Sequence, residues 1–135
     1  LDALLMNVDR TARNTNMLMW KKELWLIDHG ASLYFHHNWG QWEDQSLKPF
    51  SQIKDHVLLR WATELESINE KFKMLLTHEI LQSIVDLIPE IWLDINAPFE
   101  TLEQQRQAYF TFLSHRIHHS EIFVSAANHA RKSII

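Results

Sequence analysis

Three polar side chains near the start of the chain are of the types that handle phosphate. Asn7-Val8-Asp9-Arg10-Thr11-Ala12-Arg13-Asn14 sets an Asp and an Asn five residues apart, directly after an apolar stretch. Asp28 follows nineteen residues after Asp9 and leads into His29-Gly30. Phosphoryl transfer from ATP needs one carboxylate to orient the attacking hydroxyl and accept its proton. It also needs further oxygen ligands to hold magnesium against the phosphates. Asp9, Asn14 and Asp28 supply those groups. Such a pair recurs by chance in unrelated sequences, so its weight comes from the order of the elements around it.

Those elements change character along the chain. In the first forty residues, short apolar stretches (Leu4 to Val8, Met17 to Trp20, Leu24 to Ile27) alternate with polar segments too brief for helices, a pattern of strands and turns. The second and third stretches form a hairpin across Lys21-Lys22-Glu23, without an Asn-Gly or Asp-Gly turn signal. In this arrangement the Asp9 to Asn14 loop turns both side chains into one cleft. The hairpin then returns the chain so that Asp28 meets Asn14 across a metal, and Gly30 lets the backbone turn away sharply.

After Pro49 the spacing becomes helical. Ile53, Val57, Trp61 and Leu65 lie four apart, and Ile68, Phe72 and Leu75 continue the stripe, with Ser51 as the first cap. Thr77 caps a helix carrying Ile80, Leu81, Ile84, Leu87 and Ile88 that Pro89 stops. Thr101 with Gln104 forms a capping box before Leu102, Tyr109, Phe112, Leu113 and Ile117, with a break near Ser120. The expected fold is mainly α (α+β) and a single domain over residues 1–135. Residues 1–40 carry the catalytic loop, hairpin and metal-binding loop, and residues 50–135 form a helical bundle.

These segments resemble an atypical kinase. The Asp9 to Asn14 spacing is similar to the kinase catalytic loop, and Ile27-Asp28-His29-Gly30 to the metal-binding Asp-Phe-Gly segment. Asp9-Arg10 followed by Asn14 resembles the Asp-Arg-His-x-x-Asn loop of phosphatidylinositol kinases, and Arg13-Asn14 the Lys-Asn ending of the HipA-like loop. Leu26 to His37 resembles bacterial HipA-like proteins, the favoured family. The resemblance covers about the first forty residues; Thr11 replaces the lipid-kinase His, His29 replaces the usual Phe, and no His-Arg pair precedes Asp9.

The resemblance implies a kinase C-terminal-lobe-like domain that moves the γ-phosphate of ATP to a protein Ser or Thr hydroxyl, in the cytoplasm. Asp9 carries over as the catalytic Asp, Asn14 and Asp28 as magnesium ligands, and Arg13 as a phosphate contact, with Arg10 structural. A glycine-rich flap, a strand Lys paired with a helix Glu and an adenine-binding hinge are not found in this sequence, whose two glycines, Gly30 and Gly40, stand apart. They are expected on an N-terminal lobe preceding Leu1, the implied partner, beside a protein substrate or an antitoxin-like protein. A fragment without them is expected to be inactive by itself.

Composition narrows the alternatives. With 135 residues and 46% apolar content the chain supports one core. Its net charge of −4, with no Lys or Arg stripe, argues against direct nucleic-acid binding. Cys is absent, which removes disulfides and thiolate chemistry. No apolar run approaches the roughly 20 residues of a membrane span. The His36-His37 pair and the His115, His118, His119 group with Glu121 invite zinc, but solvent-facing histidines are the commoner explanation. Of six Trp residues, Trp25, Trp61 and Trp92 fall on apolar stripes and are expected in the core, whereas Trp39 and Trp42 are the surface candidates. A non-catalytic helical interaction module, or a pseudokinase, is the competing reading.

Overall fold

The computed structural model describes residues 1–134 and is mainly helical, with one two-stranded antiparallel sheet. Leu4 to Val8 does not form a strand. Asp2–Leu5 closes one helical turn, α1, which Met6 ends in the left-handed region at φ 52°. Local polar groups override strand pairing here: Asn7 Nδ2 donates to Asp2 Oδ1 at 3.2 Å and the Asn7 amide to the Asp2 carbonyl at 2.9 Å.

The hairpin forms as β1 (Met17–Trp20) and β2 (Glu23–Leu26), paired from Met17↔Leu26 to Trp20↔Glu23. Its turn is the two residues Lys21-Lys22, both left-handed at φ 49° and 68°, as the right-handed twist of a tight hairpin requires. Two lysines adopt a backbone that Asn-Gly adopts more cheaply. Their partial compensation is local: Trp20 meets Trp25 edge-on at 5.7 Å between ring centres, and the Lys21 ammonium lies 4.5 Å from the Trp20 ring centre.

Past Pro49 the four-residue spacing does not make one helix. Ser51–Asp55 and Leu59–Trp61 are separate 3-10 turns, and α3 begins only at Leu65 and runs to Leu75. Ser51 caps nothing; its hydroxyl donates to Gln52. The interruption falls at His56, which is extended and is claimed by distant partners: Asp2 through its ring, and Thr11 through a backbone bridge. Tertiary demand here outweighs helical periodicity.

The remaining helices follow their caps. In α4 (His78–Asp86) Thr77 Oγ1 accepts from the Ile80 amide at 3.4 Å, and the helix ends before Pro89. In α5 (Leu102–His118) Thr101 Oγ1 accepts from the Gln104 amide at 3.1 Å, while Gln104 Oε1 reaches back to the Glu100 amide at 2.8 Å. The chain breaks at Ser120 and resumes as α6 (Glu121–Lys132). A short α2 (Trp42–Ser46) crosses α5.

Two apolar clusters hold these parts. One stacks Phe35 on Phe112, ring centres 4.0 Å apart, with Leu81, Val85, Ala108, Phe110 and Leu113 around them. The other joins Leu4, Phe50, Ile53, Leu59, Phe123 and Ala127; Leu5, Met6, Leu76 and Ile117 pack against both. The tryptophans are distributed opposite to expectation. Trp39 is buried, edge-on to Phe35 and Phe99, and Trp42 is half-buried, whereas Trp25, Trp61 and Trp92 are 45, 65 and 77% exposed.

Candidate functional site

The loop that carries Asp9 is fixed from the helical core outward. Arg116, on α5 and 1% exposed, donates to the carbonyls of Ala3 and Leu4 on α1, of Ser46 at the end of α2 and of Lys48 beyond it, and its guanidinium carbon lies 4.4 Å from the Phe123 ring centre. Burial lowers its pKa to about 10, so it stays charged at neutral pH. The α1 turn that it anchors presents Asp2, also buried.

Asp2 is the hub of the next layer. Its Oδ2 accepts from Arg10 Nε at 2.8 Å and from His56 Nε2 at 2.9 Å, and its Oδ1 from Asn7. Burial pushes the Asp2 carboxyl up, but the hydrogen bonds from His56 and Arg10 outweigh it and hold the group down at about 2. His56 Nδ1 accepts from the Leu58 amide at 3.1 Å while Nε2 lies 2.9 Å from Asp2 Oδ2, so both ring nitrogens are engaged and the ring braces the loop.

Arg10 transmits this order to the site. Fully buried between the loop and the hairpin, it donates through Nη1 to the carbonyls of Asn16 and Ile27 and sets Nη2 3.4 Å from His29 Nδ1. The residues on either side of the hairpin, Asn16 and Ile27, also bond to each other, Ile27 amide to Asn16 carbonyl at 2.9 Å. One guanidinium thus clamps both ends of the excursion that separates Asp9 from Asp28.

Within the loop the side chains of Asp9 and Asn14 come together: Asn14 Nδ2 donates to Asp9 Oδ2 at 2.8 Å. Asn16, left-handed at φ 46°, adds Nδ2 bonds to Asp9 Oδ2 at 3.3 Å and to the Asp9 carbonyl at 2.9 Å. The Asp9 amide donates to Asn7 Oδ1, and Thr11 and Asn14 close the turn by reciprocal bonds. Asp9 therefore spends Oδ2 on two amides, and its half-buried carboxylate keeps Oδ1 without a hydrogen bond among the described residues. Asn14, with its nitrogen turned to Asp9, presents its oxygen elsewhere.

Asp28 is exposed and left-handed at φ 50°. It has no hydrogen bond to Asp9 or Asn14, and its Oδ1 faces the Gly30 amide at 3.4 Å. Its place is set indirectly, because its neighbours Ile27 and His29 both touch Arg10. The sharp turn comes from Asp28 itself; Gly30 has no positive φ, and a Cβ there would meet Asp28 Oδ1 at 3.4 Å. Arg13 is exposed and makes no hydrogen bond or ion pair among the described residues. Asp9, Asn14 and Asp28 each carry side-chain oxygen, the donor type that magnesium takes, and of the three only Asp9 and Asn14 are joined by a hydrogen bond.

No group of three His, Cys, Asp or Glu side chains converges among the described residues. His36 and His37 pair through Nε2 atoms 3.2 Å apart, and burial followed by the His37 charge lowers the pKa of His36. His115 Nδ1 faces Ser46 Oγ at 3.0 Å, while His118 and His119 stack edge-on.

Asp2, Asn7, Asn16 and His56 shape the site without having been singled out from the sequence. Asn16 carried a readable signal, since Asn tolerates the left-handed backbone. Asp2 and His56 did not, as their partnership spans 54 residues. No helix among the described residues is long and apolar enough to cross a membrane. No protein-family model matches the chain, and neither curated proteins nor solved structures give a match.

Proposed function

We propose that this chain is the catalytic C-terminal lobe of a HipA-like kinase, whose parent enzyme transfers the γ-phosphate of ATP to a protein Ser or Thr hydroxyl. The observation that carries the reading is the Asp9–Asn14 bond at 2.8 Å across a five-residue loop, in a loop tied by Arg10 to the segment bearing Asp28. A proton acceptor and two oxygen ligands are thereby tethered to one buried cation. Asp28 at φ 50° adds support, since non-glycine residues held left-handed concentrate at functional sites.

In this reading Asp9 Oδ1 orients the acceptor hydroxyl and takes its proton, while Asn16 and Asn14 fix the rotamer of the carboxylate through Oδ2. The Asn14 amide oxygen and Asp28 would hold magnesium, which when bound offsets charge on the phosphates. Arg13, exposed at the surface, would meet a phosphate oxygen in this reading. An N-terminal lobe would bring the adenine site and cover the hairpin, whose Leu18, Met19, Trp20, Leu24, Trp25 and Ile27 are all exposed. An isolated two-stranded hairpin is marginal in water, and a covering lobe would remove that apolar surface.

The test is calorimetric titration of magnesium and ATP onto the longer parent protein. Asp28→Asn is expected to abolish magnesium-dependent nucleotide binding. Asp9→Asn is expected to retain binding while slowing transfer by about 10²–10⁴-fold. Parent protein that binds no nucleotide, or Asp28→Asn protein that binds it unchanged, overturns the assignment and favours a non-catalytic interaction module.

A further inference from the structure

The helix α4 carries two adjacent apolar faces, roughly 100° apart around its axis, with His78, Glu79, Gln82, Ser83 and Asp86 on the side away from them. Leu81, Val85 and Ile88 face inward onto α5 and the Phe35–Phe112 cluster. Ile80, Ile84 and Leu87, spaced four and three residues apart on another face, are exposed, Leu87 by 78%. The chain continues this surface at once with Ile91 and Trp92 in the turn after Pro89, 89 and 77% exposed, and with Ile95. An apolar stripe on a helix is normally covered across its whole width, and exposed apolar surface left beside the covered part marks an interaction site.

Charge indicates what covers it. Between His78 and Gln105 the chain carries Glu79, Asp86, Glu90, Asp94, Glu100 and Glu103 and no Lys or Arg. All six carboxylates are exposed. This stretch holds −6 while the whole chain holds −4, so the remainder sums to +2. Glu79, Asp86, Glu90 and Asp94 alternate with the exposed apolar residues. An apolar ridge bordered on its polar side by Glu79 and Asp86 and continued past Glu90 and Asp94 matches a helix whose apolar stripe is flanked by Lys and Arg.

We propose that the outer face of α4, continued through Ile91, Trp92 and Ile95, docks a basic amphipathic helix of a partner protein. Apolar burial supplies the affinity, and the carboxylates select for basic flanks and disfavour acidic ones. A second copy of this chain would set the same carboxylates against each other, which argues against self-association through this face.

The experiment titrates two synthetic amphipathic helices of identical Leu spacing, one built with Lys and one with Glu, into the protein by calorimetry, and measures its mass by sedimentation. The Lys helix is expected to bind at least about tenfold more tightly than the Glu helix, with the difference shrinking as salt rises. Ile84→Glu with Leu87→Glu should remove binding of the Lys helix without moving the thermal melt, since both side chains are exposed. Should that variant unfold, Asp86→Lys with Glu90→Lys serves instead and should reverse the preference toward the Glu helix. Equal binding of the two helices, unaltered binding by the folded apolar variant, a preference that the charge variant leaves unchanged, or a dimer that these substitutions dissolve would each overturn the proposal.

Discussion

The two arms of the candidate site are built on opposite principles. The loop bearing Asp9 rests on a buried ionic lattice, Arg116 to α1, Asp2 to Arg10 and His56, and Arg10 to the loop carbonyls. The hairpin leading to Asp28 rests on its own ladder and on the two carbonyls that Arg10 reaches at its base, with apolar side chains exposed on both faces. Under the proposed kinase reading, Asp9 as proton acceptor would have to be fixed before the reaction, because misplacement by about 1 Å costs heavily in rate, whereas the arm proposed to bear the metal could be completed by a covering partner. Buried charge holds the position of one arm, and the other has only its ladder and the carbonyls at its base.

The sharpest way to break the comparison is at its hub. Asp2→Ala leaves the Arg10 guanidinium buried without its carboxylate and deprives His56 of its acceptor. Removing one member of a buried pair typically costs about 3–5 kcal/mol, read by urea unfolding. Replacement of both Asp2 and Arg10 by apolar residues should cost less than the single change, because no charge is stranded. Acid probes the same hub with a smaller effect. The folded pKa of Asp2, about 2, lies below its ordinary value of 3.8, so its contribution is present above about pH 4 and is lost as the pH falls toward 2. The loss should be about 2 kcal/mol in wild-type protein, from linkage at about 1.4 kcal/mol per unit. Asp2→Asn protein should lack that component of the acid transition.

Legibility in the sequence divides along the same line. Features set by neighbours in the chain were readable: the hairpin from its paired apolar stretches, α4 from Thr77, α5 from Thr101 and Gln104, and the break at Ser120. The Asp9–Asn14 proximity was readable too, since five residues of loop close on themselves. What failed was set at a distance. The stripe from Ile53 to Leu65 looks helical until His56 is drawn off by Asp2, and Leu4 to Val8 looks like a strand until Asn7 and Asp2 bond each other. The tryptophans misled for another reason: apolar periodicity identifies a face but not what lies against it. Trp92 sits on such a face and stays 77% exposed, while Trp39, followed by a glycine and a glutamine, plugs the main cluster.

Smaller effects should appear in the hairpin. Lys21→Asn with Lys22→Gly relieves two left-handed lysines and should stabilise β1 and β2 by about 1 kcal/mol, detected as slower amide exchange across the ladder. Global unfolding of this chain should scarcely move, because a ladder so exposed opens before the rest. If the gain instead appears in full in global stability, the hairpin is coupled to the lattice and the two arms are one unit.

Trp25→Ala gives the finest discrimination. Trp25 is 45% exposed and its main partner is Trp20, edge-on at 5.7 Å. Loss of that pair should cost this chain about 0.5–1.5 kcal/mol at the hairpin and leave amide protection at Asn7 and Val57 intact, since those amides donate to the carbonyls of Asp2 and Arg10. In the parent protein, where the proposed lobe would cover this surface, the same substitution should cost more, because a truncation that leaves a void adds to the lost pair. Comparison of the two costs measures the covering directly. Equal costs in both would mean that the hairpin stays bare, and the partner-ordered arm would then have to find its order elsewhere, at Arg10 alone.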